Sequence, residues 1–289
     1  MYALIFVACA APLLDGERVL GVDVPAEFIF GAPGDRLGSA VAGRGDRWIA
    51  TAPGASRTWR DGEPGDVASA WVGFWGESEV LVTADGTLTV NGELAAEIPD
   101  ATAWGFGGNG IAFATVDGLR VLDPPLAVAV RGVEALAWGE RRLLARVCDP
   151  ACVGMAWALD GEALGAYAPA GAGGAVGEWD GVAWAGAPAW DEPEAPGRVC
   201  SEAGVCVDGL PGDHLGATLG GGFTAGTFNK WVVPARARLV PLDGGDVLAL
   251  ETGAEAQPLH LAGDTRLVVG APYAASEGLP AGAVVTVAR

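Results

Sequence analysis

The sequence predicts an all-β chain, a seven-bladed β-propeller of three- to four-stranded antiparallel blades closed by an N-terminal strand. Three features carry this expectation. Apolar residues make up 51% of the chain but fall in short runs cut by 46 Gly and 19 Pro, with no sustained helical period. A short apolar strand followed by a turn recurs along the whole length. Too little chain follows the last copy to complete a blade there.

The recurrence is counted from the residue after each second strand. "WIATAP" places this anchor at Pro53, "VLVTAD" at Asp85, "AFATVD" at Asp117 and "LARVCD" at Asp149. "VAWAGAP" gives Pro188, "WVVPAR" gives Arg236 and "LVVGAP" gives Pro272. The seven anchors are 32, 32, 32, 39, 48 and 36 residues apart. Each is preceded by another short strand, such as "LGSAVAG" or "LGATLGG", and followed by a turn and a third strand, such as "TLTV", "DVLAL" or "AVVTVA". Asp85-Gly86 and Asp117-Gly118 are tight-hairpin dipeptides. A blade of this size cannot bury both of its faces alone, so neighbours must stack around an axis. Trp75, Trp104, Trp138 and Trp179 recur at first strands and are expected to fill the spaces between blades.

Only 17 residues follow Pro272, room for a third strand but not a fourth. The segment "RVLGVDVPAEFIF", Arg18–Phe30, precedes the first repeat and is expected to supply the missing outer strand. Residues 18–289 then form one domain, and residues 1–17 a leader-like segment and tether.

Net charge is −19, with 36 acidic against 17 basic residues and Lys230 as the single lysine. Nucleic-acid binding needs a basic surface to neutralise phosphates, so that class is excluded, and an anionic membrane surface is disfavoured too. No apolar run approaches the ~20 residues of a membrane span.

Cys148 and Cys152 lie in "CDPAC", and Cys200 and Cys206 in "CSEAGVC", each pair straddling a turn. Two local disulfides in an oxidising compartment are the economical reading, with free thiols or a metal site as the alternative. Neither pair has a histidine beside it to complete a zinc site. The fifth cysteine closes "FVAC", which resembles the lipobox of bacterial lipoproteins and implies lipidation at Cys9. Only eight residues precede it, without Lys or Arg, which a start site further upstream would explain.

"GDRLGSAVAGRGDRWIATAPG", Gly34 to Gly54, resembles the FG-GAP repeat of integrin α-subunit head domains and related bacterial surface proteins. "GDHLGATL" with "WVVPAR", "GDTRLVVGAPY" and "GVAWAGAP" are weaker copies. The resemblance implies a seven-bladed propeller. It also implies Ca²⁺ in the loops between first and second strands, but those loops here, such as "AGRGDRW" and "GGFTAGTFNKW", offer no more than one carboxylate each. Calcium needs six to eight oxygens, so neither metal nor cofactor is expected. The acidic loops Asp61–Asp66 and Asp191–Glu194 read as solvated charge. Arg44-Gly45-Asp46 falls on a turn the repeat itself requires.

There is no G-x-S-x-G elbow, and the S-x-D-x-G-x-T-W boxes of sialidase-type propellers are absent. His214 holds the variable place in its Gly-Asp-x-Leu-Gly copy, and His260 lies in an alternating strand, so neither is a good catalytic base. Binding is the stronger expectation. The resemblance implies that ligands dock where the loops between second and third strands open on one face. The long examples carry Arg57, Trp59, Arg60, Trp190, Arg236, Arg238 and Tyr273, the residue types enriched at binding hot spots. The expectation is a monomeric, non-catalytic binder of a protein or glycan at the cell surface, secreted or held in a bacterial outer membrane by its lipid. The alternative is a propeller hydrolase or lyase acting on a polysaccharide or ester through channel carboxylates.

Overall fold

The computed structural model describes residues 16–288, apart from 109, 124, 141, 150, 159–161, 168–172, 189–195, 227–235, 252–258 and 277–278. Cys9 and Trp190 therefore lie outside the described residues.

Seven antiparallel sheets form the blades. Blade one is Val41–Arg44, Arg47–Ala52, Arg57–Arg60 and Glu63–Pro64. Blade two is Trp71–Trp75, Ser78–Val82, Thr87–Val90 and Glu93–Glu97. Blade three is Ala103–Gly107, Gly110–Thr115, Gly118–Val121 and Leu126–Val128. Blade four is Val133–Trp138, Arg142–Cys148, Cys152–Ala158 and Ala163–Ala166. Blade five is Val176–Trp179, Val182–Ala187, Arg198–Ser201 and Cys206–Asp208. Blade six has Thr218–Gly220, Phe223–Ala225, Arg236–Pro241 and Val247–Glu251. Blade seven has His260–Ala262, Arg266–Ala271 and Ala283–Ala288, with Ala26–Phe30 as its outer strand. The inner strands touch in succession, and that of blade seven packs against that of blade one. The ring is closed.

The period-two pattern of each strand now has a concrete meaning. Trp48, Ala50 and Ala52 face blade seven, while Ile49 between them faces blade two. In blade four Leu143 and Ala145 face blade three, and Leu144 faces blade five. Among the described residues the buried apolar side chains accordingly divide into seven clusters, one for each junction between neighbouring blades. Inner strands approach closely because they carry glycine where the next blade intrudes. A Cβ on Gly73 would lie 2.3 Å from the Phe106 ring, and one on Gly107 would lie 2.3 Å from Trp138 Cβ. The tryptophans fill these junctions as expected. Trp104 is buried beside Phe106 and Phe113, and Trp138 donates its Nε1–H across a blade junction to the Gly105 carbonyl at 3.2 Å.

The N-terminal segment differs from expectation in one respect. Ala26–Phe30 pairs with blade seven from Ala26↔Val287 to Phe30↔Ala283. Val19 does not join that strand. Glu17–Val19 runs parallel to Val247–Ala249 and adds a fifth strand to blade six. The physical cause is the turn between the two pieces: Gly21 adopts φ +82°, the Val22 and Asp23 amides return to the Val19 carbonyl, and Pro25 has no N–H to continue a ladder.

Blade six also corrects an assignment. Of "WVVPAR" only Arg236 lies among the described residues, and it is not the residue that follows the second strand. That strand is Phe223–Ala225, and Arg236 opens the third. "DVLAL" is accordingly the fourth strand of the described sheet rather than its third, with Glu17–Val19 outside it. The Gly221-Gly222 turn, with φ +56° and +71°, sends the chain back early, so the anchor position is Gly226.

Candidate functional site

The disc has two ends. At one, the connections between second and third strands are two to four residues in blades one to four and longer in blades five, six and seven; blade one, with only residues 53–56 between its strands, lacks the long loop expected of it. The two Gly-Asp-x-Leu-Gly copies lie at this end and build the same loop. Asp35 Oδ2 accepts from the Ala32 N–H at 2.9 Å, and Asp213 Oδ2 from the Leu210 N–H at 2.8 Å. The variable residues Arg36 and His214 have φ of +56° and +50°, which turns them out of the loop. Leu37 and Leu215 are each 0% exposed and bridge to Gly282 and Gly197, the residues leading into the third strand of the preceding blade. Gly54 and Gly226 close the two loops from outside: a Cβ there would sit 1.8 Å from the Gly34 carbonyl oxygen and 1.6 Å from that of Asp213. Each loop thus locks its own blade to the one before it. "GDTR" is not a third copy, because Gly263-Asp264 forms the hairpin between first and second strands of blade seven.

The candidate binding residues do not all stand free on loops. Arg57, Trp59 and Arg60 form the third strand of blade one. Arg57 is exposed, whereas Trp59 packs into the junction between blades seven and one. Arg60 reaches across to blade two, its Nε 2.7 Å from Glu79 Oε1. Arg238 is more committed still. It bonds Glu17 at 2.5 Å and pairs with Asp213, so one guanidinium ties the N-terminal strand, the third strand of blade six and the Gly-Asp-x-Leu-Gly loop together. Desolvation pushes the Asp213 carboxyl up, against the pull of the Leu210 amide and Arg238. Arg236 begins that third strand. Tyr273 is exposed on the long connection of blade seven.

Strand pairing leaves a smaller exposed group on blades seven and one. Arg36 places its guanidinium carbon 5.6 Å from the centre of the Tyr273 ring. Arg57 is exposed on the same blade as Arg36, and Leu279, on the two-residue strand Leu279–Pro280 of the same connection as Tyr273, is 54% exposed. Arg36 and Leu279 escape a search for aromatic and basic residues on long loops. The signal for Arg36 is its place in the motif, the one position that the turn directs outward.

The opposite end of the disc is ringed by the turns between first and second strands and opens on the central channel. A cavity of about 720 Å³ runs between the seven inner strands. Two of its lining carboxylates, Glu178 and Asp264, carry structural duties. Glu178 bonds Arg142 at 2.7 Å, and Arg142 also bonds Glu202, whose carboxyl is held below its ordinary range mainly by that guanidinium. Asp264 accepts from the Gly45 N–H at 2.8 Å and the Thr265 N–H at 2.6 Å. Burial pulls its pKa up, but these amides and Arg44 outweigh burial and leave it lowered. Arg44-Gly45-Asp46 is at this end, in the hairpin of blade one. Asp61 is likewise engaged, accepting from the Trp48 N–H at 2.6 Å.

Both cysteine pairs are disulfides, Cys148–Cys152 and Cys200–Cys206, each joining directly opposed residues of one hairpin. Among the described residues Glu134, Cys148 and Cys152 come close enough to share a metal, but the disulfide occupies both sulfurs.

No protein-family model matches the chain, and no curated protein matches it. Solved structures do. The extracellular domain of the hybrid two-component system BT4673 from B. thetaiotaomicron aligns with a TM-score of 0.56 at 9% identity. That alignment covers 91% of this chain and 39% of the other, so the chain spans well under half of that protein's length. The computationally designed protein Ika8 aligns with a TM-score of 0.51 at 16% identity, covering 84% and 83% of the two chains. KlHsv2 with its loop 6CD replaced by a Gly-Ser linker gives 0.51 at 10% identity, covering 85% and 90%. The likeness is one of fold alone.

Proposed function

We propose that the protein is a non-catalytic, extracytoplasmic binding propeller of the FG-GAP kind, holding a protein or glycan at the cell surface. The observation that carries this reading is the exposed Arg36–Tyr273 stack on blades seven and one, with Arg57 and Leu279 exposed on the same two blades. An aromatic ring with a guanidinium over it and an aliphatic neighbour is the composition of an interface hot spot. The two matching Gly-Asp-x-Leu-Gly loops support kinship with FG-GAP proteins, and the two disulfides support an oxidising compartment. In this reading the chain acts as a monomer without metal or cofactor, and Cys9 supplies the only membrane attachment.

The test is retention on isolated cell envelope. Arg36→Ala with Tyr273→Ala is expected to weaken retention by about tenfold or more at an unchanged melting temperature. Retention equal to wild type refutes this face as the binding surface. Incorporation of labelled fatty acid, lost in Cys9→Ser, tests the anchor separately.

A further inference from the structure

The central channel combines a wall and a charge that select one kind of small molecule. Trp71, Phe74, Trp104, Phe106, Trp138 and Trp179 belong to its lining, contributed by blades two to five. Among the described residues, Glu140, Glu178, Asp180 and Asp264 also line it, against the single guanidinium of Arg44. Arg44 is itself drawn to Glu77 and Asp264, both at 3.4 Å, and Arg142 behind the wall is shared between Glu178 and Glu202. The excess of negative charge in the lining sits at the end ringed by the turns between first and second strands, where Asp46 and Glu77 are matched by Arg47 and Arg266. A low-dielectric cleft lined by one sign of charge focuses its field and concentrates counter-ions.

The cavity of about 720 Å³ falls within the range of small-molecule sites. It is bounded by inner strands of three to six residues, which rise roughly 10–20 Å, so an extended ligand can lie along them. Anions are repelled by the carboxylates, and neutral ligands gain nothing from them. A linear ammonium compound suits this lining: its charges meet the carboxylates, its methylenes lie along apolar wall, and its ammonium groups can face the rings that remain, since Arg47 covers Phe74 at 5.2 Å and Trp104 is buried between blades two and three.

We propose that the channel is a binding site for linear polyamine-type cations, entered from the end carrying Glu140, Asp180 and Asp264. This site is at the opposite end from the Arg36–Tyr273 surface, and either can fail without the other.

Calorimetric titration of the whole protein with spermidine tests the proposal, with quenching of tryptophan fluorescence as a second readout. One spermidine per chain is expected, with affinity falling as salt rises. Asp180→Asn suits a residue at φ +52°, which Asn tolerates, and should weaken binding several-fold while the fold is kept. Trp179→Leu should weaken it as well. Glu93→Gln with Glu97→Gln removes two exposed carboxylates from the outer strand of blade two and should change nothing. The proposal is overturned if spermidine produces no saturable signal, or if the Glu93/Glu97 double variant loses as much affinity as Asp180→Asn. It is overturned equally if triethylene glycol, a neutral chain of similar length, competes.

Discussion

Blades two to four and blades five to one are the same sheet built by two different economies. In the first group the anchors recur at a constant 32 residues and the second-to-third turns are tight, with Asp85, Asp117 and Asp149 exposed in them. Neighbouring blades there are held mainly by side-chain packing between sheets, around Trp104, Ile111, Phe113, Leu119 and Leu143. The second group has longer and uneven repeats and adds backbone fasteners: two Gly-Asp-x-Leu-Gly loops, an outer strand from the N-terminal segment, and a fifth strand on blade six. Regular spacing marks blades that need only their neighbours' faces. Irregular spacing marks the part of the ring where distant segments are brought together, and there the exposed Arg36–Tyr273 stack lies.

The largest effect that should sharpen this comparison is at Arg238. Arg238→Ala removes the guanidinium shared by the Glu17 and Asp213 carboxylates, whose side chains are 6% and 11% exposed. A loss of about 3–5 kcal/mol is expected in urea unfolding near neutral pH. The deficit should shrink as acid protonates Asp213, whose carboxyl burial already pushes up, and a pH-independent deficit contradicts the assignment. Leu215→Ala comes next. Truncating a leucine with no exposed surface should cost about 2–5 kcal/mol by the same measurement. If the loop is a fastener, proteolysis should then begin at the junction of blades five and six rather than in blades two to four.

Much of this ring was legible in the sequence because strand alternation, hairpin dipeptides and tryptophan spacing are local. The Gly-Asp-x-Leu-Gly loops were legible for the same reason. What escaped was of two sorts. In blade six, "WVVPA" is a stronger apolar run than "FTA", yet the paired glycines 221 and 222 turn the chain first, so propensity points to the wrong strand. "GDTR" misleads in the same way, since a Gly-Asp pair serves a hairpin as readily as the loop motif. The second sort is long-range. Glu17 and Arg238 are 221 positions apart, and no local pattern announces their pairing. For the same reason Arg238 and Arg60 resembled free binding residues until their carboxylate partners were placed. The channel wall, drawn from all seven inner strands, has no sequence signature beyond its glycines and tryptophans.

Two smaller effects test the packing and the hairpins. Replacing both Cys148 and Cys152 by Ser opens a very short loop, for which chain entropy gives about 2 kcal/mol. The expected result is a lower melting temperature with blade four still folded, as read from protection of the Arg142–Cys148 amides in hydrogen exchange. The smallest effect concerns pH. Burial lowers the His260 pKa, so the folded chain resists protonating it while the unfolded chain does not. Its contribution to stability is present above the ordinary histidine value of 6.5 and is lost as pH falls through the lowered one. His260→Gln should flatten that part of the stability profile below pH 6.5, measured by denaturant midpoints across the acid range.

The parallel placement of Glu17–Val19 along Val247–Ala249 has a mechanical consequence. A force drawn along Glu17–Val19 would load its hydrogen bonds together rather than peeling them one after another. The load passes through Arg238 and blade six before it reaches Ala26–Phe30, the seam that keeps the circle shut. A pull on Glu17 is therefore absorbed one blade away from the seam.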